Sequence, residues 1–134
     1  MTIRFLVDTD WAIEYLRGKS EVVARLKSAR QDGLGISIIS LAELYEGVHY
    51  SRDPEKSETG LRQFLSGLTF VGIDEEICQI FGRERGRLRK EGRRVGDFDT
   101  LIAATCLRHN LELFTNNRRH FEVFDNLKFQ SVSV

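Results

Sequence analysis

Ile3-Arg4-Phe5-Leu6-Val7-Asp8-Thr9-Asp10 is the stretch that decides the fold. Its apolar, β-branched-containing run is too short for a helix and reads as a buried strand, and Asp8-Thr9-Asp10 ends it with a turn and a helix cap. Asp8 therefore stands at the carboxyl end of a strand, the place where open α/β sheets build their sites.

The same alternation continues along the chain. Residues from Trp11 to about Arg17 read as a helix stopped by Gly18, and Glu21 to Arg30 carries Val22, Val23, Leu26 and Ala29 at helical spacing. Gly35 to Ile39 reads as a second strand, after which Ser40 is expected to open a helix burying Leu41, Leu44, Tyr45 and Val48. A loop at Arg52-Asp53-Pro54 precedes a helix from about Glu55 to Leu65. Thr69 to Ile73 is a short strand, Glu75 to about Lys90 a long helix burying Ile77, Ile80, Phe81 and Leu88, and Asp97 to His109 a mostly apolar helix. Leu111 to Phe114 and Leu127 to Val132 complete the strands. Strands separated by helices predict parallel βαβ units: an α/β protein, a three-layer α/β/α sandwich with a central, mostly parallel sheet of about five strands.

The 134 residues suit a single domain, 1–134, with a core of its own. Hydrophobic residues at 41% and charged residues at 30% exclude a disordered chain. Lys and Arg number 20, as do Asp and Glu, so nucleic acid cannot be drawn in by overall charge and any such contact must be local. Arg83, Arg85, Arg87, Arg89, Lys90, Arg93 and Arg94 form the one basic patch, either a solvated helix face or a surface for phosphates; Arg87, Arg89, Lys90, Arg93 and Arg94 are the candidate RNA contacts. Cys78 and Cys106 are expected to be buried small hydrophobes, not a disulfide. The apolar run at Met1–Val7 is too short for a signal peptide or membrane span, so no membrane association and a cytoplasmic location are expected.

Asp8, Glu43, Asp97 and Asp99 lie at strand ends or first helical turns, where a fold can gather them. Gathered carboxylates repel unless they take up protons or bind a cation, and oxygen-only ligands favour Mg²⁺ or Mn²⁺ over zinc. Each acid also has a plain local explanation. Ser40-Leu41-Ala42-Glu43 fits a capping box, Asp97 an N-cap and Asp99 the positive end of a helix dipole. Asp10 reads as a cap alone, whereas Asp8 has no capping position unless a helix begins beside it.

Read together, Phe5-Leu6-Val7-Asp8-Thr9-Asp10, Ile36-Ser37-Ile38-Ile39-Ser40-Leu41-Ala42-Glu43-Leu44, Asp97-Phe98-Asp99-Thr100-Leu101-Ile102-Ala103-Ala104 and Leu113-Phe114-Thr115-Asn116-Asn117 resemble the PIN domain, most closely the VapC-type toxins of type II toxin-antitoxin systems. The resemblance runs in order from about Ile3 to Phe129. It implies a Mg²⁺- or Mn²⁺-dependent endoribonuclease, usually a homodimer, restrained by a cognate VapB-like antitoxin. Carried over by position, the catalytic acids are Asp8, Glu43 and Asp99, with Thr115 and Asn117 completing the pocket. The resemblance implies an Asp where this chain has Asn117, so the fourth acid is either missing or partly replaced by Asp97. Metal chemistry then assigns Asp8 and Asp99 as direct ligands, Glu43 and Asp97 as groups acting through water, and Thr9 and Thr115 as orienters of water or phosphate.

Three other readings compete. Asp8-Thr9-Asp10 also opens haloacid-dehalogenase-type phosphatases, with Asp8 as nucleophile. His49, His109 and His120 are the pieces of a metal-free ribonuclease. Asn117 also permits a binding module with a decayed site. Trp11, Tyr45 and Tyr50 are expected in the core more than on bases.

Overall fold

Phe5, Leu6 and Val7 form the strand β1 and all three are buried. Successive side chains of a strand point to opposite faces, and here they enter two different cores. Phe5 and Val7 pack with Trp11, Val22, Leu26, Leu44, Leu61, Phe64 and Phe114, whereas Leu6 packs with Val71, Leu88, Ile102, Cys106, Leu113 and Phe121. In this computed structural model, which describes residues 2–132, helices therefore cover both faces of one sheet. Met1, Ser133 and Val134, included in the expected 1–134 domain, lie outside the described residues.

The elements run β1 (Phe5–Val7), α1 (Thr9–Leu16), α2 (Ser20–Ala29), β2 (Leu34–Ser37), α3 (Ile38–His49), α4 (Pro54–Leu65), β3 (Thr69–Val71), α5 (Glu75–Lys90), α6 (Asp97–His109), β4 (Glu112–Phe114), α7 (Arg118–Phe121) and β5 (Phe129–Gln130). All strand pairings are parallel, in the order β3-β2-β1-β4-β5. The chain builds outward from β1 through β2 to β3, then crosses back to lay β4 on β1's other side. That reversal leaves a crevice beyond the carboxyl ends of β1 and β4, the topological switch point at which α/β sheets bind ligands. Asp8 ends β1 and Thr115 follows β4, with Asp8 N–H donating to Phe114 O at 3.0 Å.

Several expectations are corrected. The helix that carries Glu43, α3, begins at Ile38, not Ser40, because the Ser37 side chain accepts from Ile39 N–H and caps it; Ile38 and Ile39 are helix although their β-branched side chains read as strand. Glu43 consequently sits in the second turn of α3, and no capping box forms. Tyr45 and Tyr50 are exposed, whereas Trp11 is core, stacked on Phe114 with ring centroids 4.7 Å apart. Cys106 is buried, but Cys78 is exposed on α5, and both are free. Asp8 does have a capping position: it is the N-cap of α1, accepting from Thr9 N–H. Among the described residues no helix is long and apolar enough to cross a membrane.

Candidate active site

Asp8 is 4% exposed, a carboxyl group delivered into the protein by the central strand that carries it. Oδ1 accepts from Thr9 N–H at 2.9 Å, and Oδ2 accepts from Thr115 Oγ1 at 2.7 Å. Thr115 is fully buried, and its hydroxyl also accepts from Asn117 N–H at 3.0 Å, which directs the single hydroxyl proton towards Asp8. Those bonds favour the carboxylate but do not offset its burial. Desolvation, with the charge of Asp10 and then of Asp99 added, pushes the Asp8 carboxyl up to about 7. A run of contacts from Asp99 through His120, Asn117 and Thr115 to Asp8 joins the two acids, 91 positions apart in number, on the same side of the molecule.

Asp10 is a site residue that sequence reasoning reduced to a cap. Its Oδ2 accepts from Asn116 N–H at 2.9 Å and its Oδ1 from Trp11 N–H at 2.8 Å, so it ties the start of α1 to the loop after β4. Burial raises its carboxyl as well, against the opposing pull of these hydrogen bonds. Asn116 extends the tie, its Oδ1 accepting from Trp11 Nε1 at 2.9 Å and from Val132 N–H at 3.0 Å. The signal in the sequence was the Asp-x-Asp spacing at the end of a buried strand; the Asn116 amide that engages Asp10 comes from the other end of the chain.

Glu43 reaches the same neighbourhood from α3. Its Oε1 accepts from Thr9 Oγ1 at 2.7 Å, so Thr9 joins the helix that follows Asp8 to the helix that carries Glu43. Ser40, one turn earlier on α3, is fully buried, and its hydroxyl has no partner among the described residues. From the first turn of α6, Asp99 Oδ2 lies 2.7 Å from His120 Nδ1, and Asn117 Nδ2 lies 2.8 Å from the same nitrogen. His120, one piece of the metal-free reading, is the partner of Asp99 in the structure. His109 is ten residues beyond Asp99 on α6, a rise of about 15 Å, so these two histidines cannot act on one bond.

Asp97 does not join this group. It is 61% exposed at the side chain and paired with Arg85 of α5. Arg87, expected to contact RNA, is occupied too: its guanidinium lies 3.3 Å from Glu84 and 3.1 Å from Glu91, and donates to Val123 O at 2.9 Å. Arg89, Lys90, Arg93 and Arg94 are exposed.

Asp8, Asp99, Glu43 and the hydroxyls of Thr9 and Thr115 thus supply oxygen donors on the carboxyl side of the sheet. The sequence matches the PIN domain family model over residues 5–127. The chain belongs to the PIN domain family. Among relatives of this PIN domain, the tRNA(fMet)-specific endonuclease VapC of Shigella flexneri is 30% identical over 131 residues, covering 98% of this chain and 99% of that protein. Ribonuclease VapC10 of Mycobacterium tuberculosis is 39% identical over 124 residues, covering 92% and 90%. Of solved structures, VapBC2 from Rickettsia felis, bound to a DNA fragment from its promoter, superimposes with a TM-score of 0.92 at 26% identity, covering 98% of this chain and 100% of that one. The PIN domain is therefore of the VapC ribonuclease type, and the phosphatase reading of Asp8-Thr9-Asp10 is set aside.

Among the described residues no three His, Cys, Asp or Glu side chains converge as a ready-made metal cage. Glu43 accepts from Thr9 and Asp99 lies against His120, while the charge felt most by Asp8 is that of Asp10, with Asp99 a weaker one. Mg²⁺ takes one or two carboxylates and keeps several waters, so this set fits a hydrated Mg²⁺ or Mn²⁺ and not an ion stripped of water.

Proposed function

We propose that the chain is a divalent-metal-dependent endoribonuclease toxin that hydrolyses RNA phosphodiester bonds. The observation that carries this reading is the burial of Asp8 beside Asp10 and Asp99, which makes its negative charge costly until a cation shares the space. Asp8 and Asp99 are the residues that would hold Mg²⁺ or Mn²⁺, and such an ion supplies an activated water and neutralises charge on the phosphate.

The remaining chemistry falls to the chain itself. The Thr115 hydroxyl, fixed by the Asn117 amide, holds Asp8 in one orientation. His120 holds Asp99, and Thr9 holds Glu43 where its carboxylate can orient a water. Asp97, given the other Asp-x-Asp position, serves the α5–α6 contact instead of catalysis. Asn117 contributes its backbone N–H and an uncharged amide where the resemblance implies an acid, so one ion is favoured over two.

As a toxin of this type the protein works in the cytoplasm as a homodimer, held inactive by a VapB-like antitoxin. Complexes with such partners are what the related Rickettsia felis structure contains. Exposed apolar side chains on the packed pair α1 and α3, Ile13, Leu16 and Tyr45, give a protein partner surface to cover.

The test is a digest of total RNA with purified protein, with Mg²⁺ or Mn²⁺ and with EDTA, followed by mapping of the cut ends. Metal-dependent cleavage leaving 5′-phosphates is expected. Cleavage that survives EDTA and leaves 2′,3′-cyclic phosphate would restore the histidine mechanism; antitoxin binding with no cleavage at any protein concentration would make this a binding module.

A further inference from the structure

Where α5 turns into α6 the surface sinks into a cavity of about 790 Å³, whose lining includes Arg85, Arg89, Arg93, Arg94, Gly96 and Thr100. Its guanidinium groups are not equally available. Arg85 is paired with Asp97, and Arg93 Nε lies 3.6 Å from Glu91. Arg89 and Arg94 are exposed and have no carboxylate partner among the described residues. A concave site with two uncommitted planar forks suits a tetrahedral anion, because a guanidinium can give a phosphate two parallel hydrogen bonds.

We infer that this cavity binds a phosphodiester of the RNA strand other than the one that is cut. The inference rests on the ribonuclease reading above and deepens it. A pocket containing Asp8, Asp10 and Asp99 repels a polyanion, and a chain with 20 basic and 20 acidic residues has no general positive field to overcome that. The attraction has to be local and close. Thr100 lines the cavity and directly follows Asp99, so the arginine recess and the acid pocket flank the same first turn of α6. The helix start adds its own positive end to the recess. An acidic protein segment would meet the same charges, but the shared helical turn favours the strand that must also reach Asp99.

The test uses binding without cleavage. In an Asp8→Asn background, affinity for unfractionated tRNA is measured over a range of salt concentrations, with and without Arg89→Gln and Arg94→Gln together. The paired change is expected to weaken binding roughly tenfold or more and to make the log affinity against log salt slope shallower by about 1.4, the value for two lost single-strand phosphate contacts. Lys27→Gln with Lys56→Gln, which alters exposed residues on α2 and α4 by the same charge, is the control. Equal losses in both pairs, or an unchanged slope, would overturn the assignment. So would a parent that binds poly-glutamate through Arg89 and Arg94 while the changed protein keeps its tRNA affinity. Melting curves of the variants matching the background exclude misfolding. Tight tRNA binding through these arginines, together with a parent protein carrying Asp8 that cleaves no RNA with Mg²⁺ or Mn²⁺, would uphold the cavity and overturn the ribonuclease reading instead, so the two fail separately.

Discussion

The chain contains two Asp-x-Asp pairs at helix starts, Asp8-Thr9-Asp10 on α1 and Asp97-Phe98-Asp99 on α6, and the fold treats them in opposite ways. The first follows the central strand, and Asp8 and Asp10 sink with it into a region where burial raises both carboxyls. The second follows the exposed turn at Gly92–Gly96, and each of its acids meets a basic side chain, Arg85 for Asp97 and His120 for Asp99. The spacing is the same, set one position later relative to the helix start because Asp8 is an N-cap and Asp97 the first residue of its helix. It gives one pair whose charges burial makes costly and one pair with a basic side chain beside each acid. What precedes the motif decides which: a buried strand removes water, whereas an exposed turn leaves room for partners. Under the proposed function the buried pair is the one that gains most from a cation, and Asp99 is the member of the second pair assigned to share it.

The comparison breaks first at Asp8. Asp8→Asn is expected to abolish cleavage, by roughly a thousandfold or more if the metal is lost, while raising the stability of the metal-free protein at pH 8. Folded Asp8 holds its proton up to about pH 7, whereas an unfolded aspartate releases it near 3.8. Between those values the folded state binds the extra proton, so metal-free stability falls as pH rises through the window and the penalty is complete above it. Its size is on the order of a few kcal/mol, seen as a melting temperature lower by several degrees at pH 8 than at pH 5. The asparagine variant should flatten that dependence; an equally steep fall would place the titrating group elsewhere.

Asp99→Asn should cost about as much activity as Asp8→Asn, since it removes the other assigned ligand, but with a smaller gain in stability because Asp99 is only partly buried whereas Asp8 is buried. Equal stabilisation by the two changes would erase the distinction between the pairs. His120→Ala leaves Asp99 charged but unheld, and an activity loss of roughly 10- to 100-fold, with weaker Mn²⁺ affinity, is expected of a partner that orients a ligand; single-turnover cleavage with Mn²⁺ titration reads both. The smallest effect belongs to Asp97→Asn. It breaks an exposed ion pair worth up to about 1 kcal/mol and should leave cleavage within roughly threefold. A hundredfold loss there would move Asp97 into the catalytic group.

How much of this was legible in the sequence follows from the range of each interaction. β1, the order of strands and helices, and the placement of Asp8, Glu43, Asp99 and Thr115 near one edge all rest on local periodicity and on where strands end, and the structure agrees. Ser37 was passed over as the cap of α3 because Ile38 and Ile39 carry strand-like side chains, and packing overrode that preference. The role of Asp10 depends on an Asn116 amide 106 positions away, brought back by the return of β4 beside β1. His120 was hidden in the same way, since nothing local says that α7 faces Asp99. Arg87 differs: Glu84 and Glu91, three residues before and four after it, were in plain view as helical partners.

The most direct measurement is the melting temperature of the purified protein with and without Mg²⁺ at pH 5 and pH 8, beside the same four curves for Asp8→Asn. An ion that binds only the folded state stabilises it by mass action, so the parent should gain several degrees from Mg²⁺ at pH 8, less at pH 5 where Asp8 keeps its proton, and Asp8→Asn should gain almost nothing at either. A parent unmoved by Mg²⁺ at pH 8, or a variant that responds as the parent does, would contradict the claim that the buried charge of Asp8 is what the cation answers.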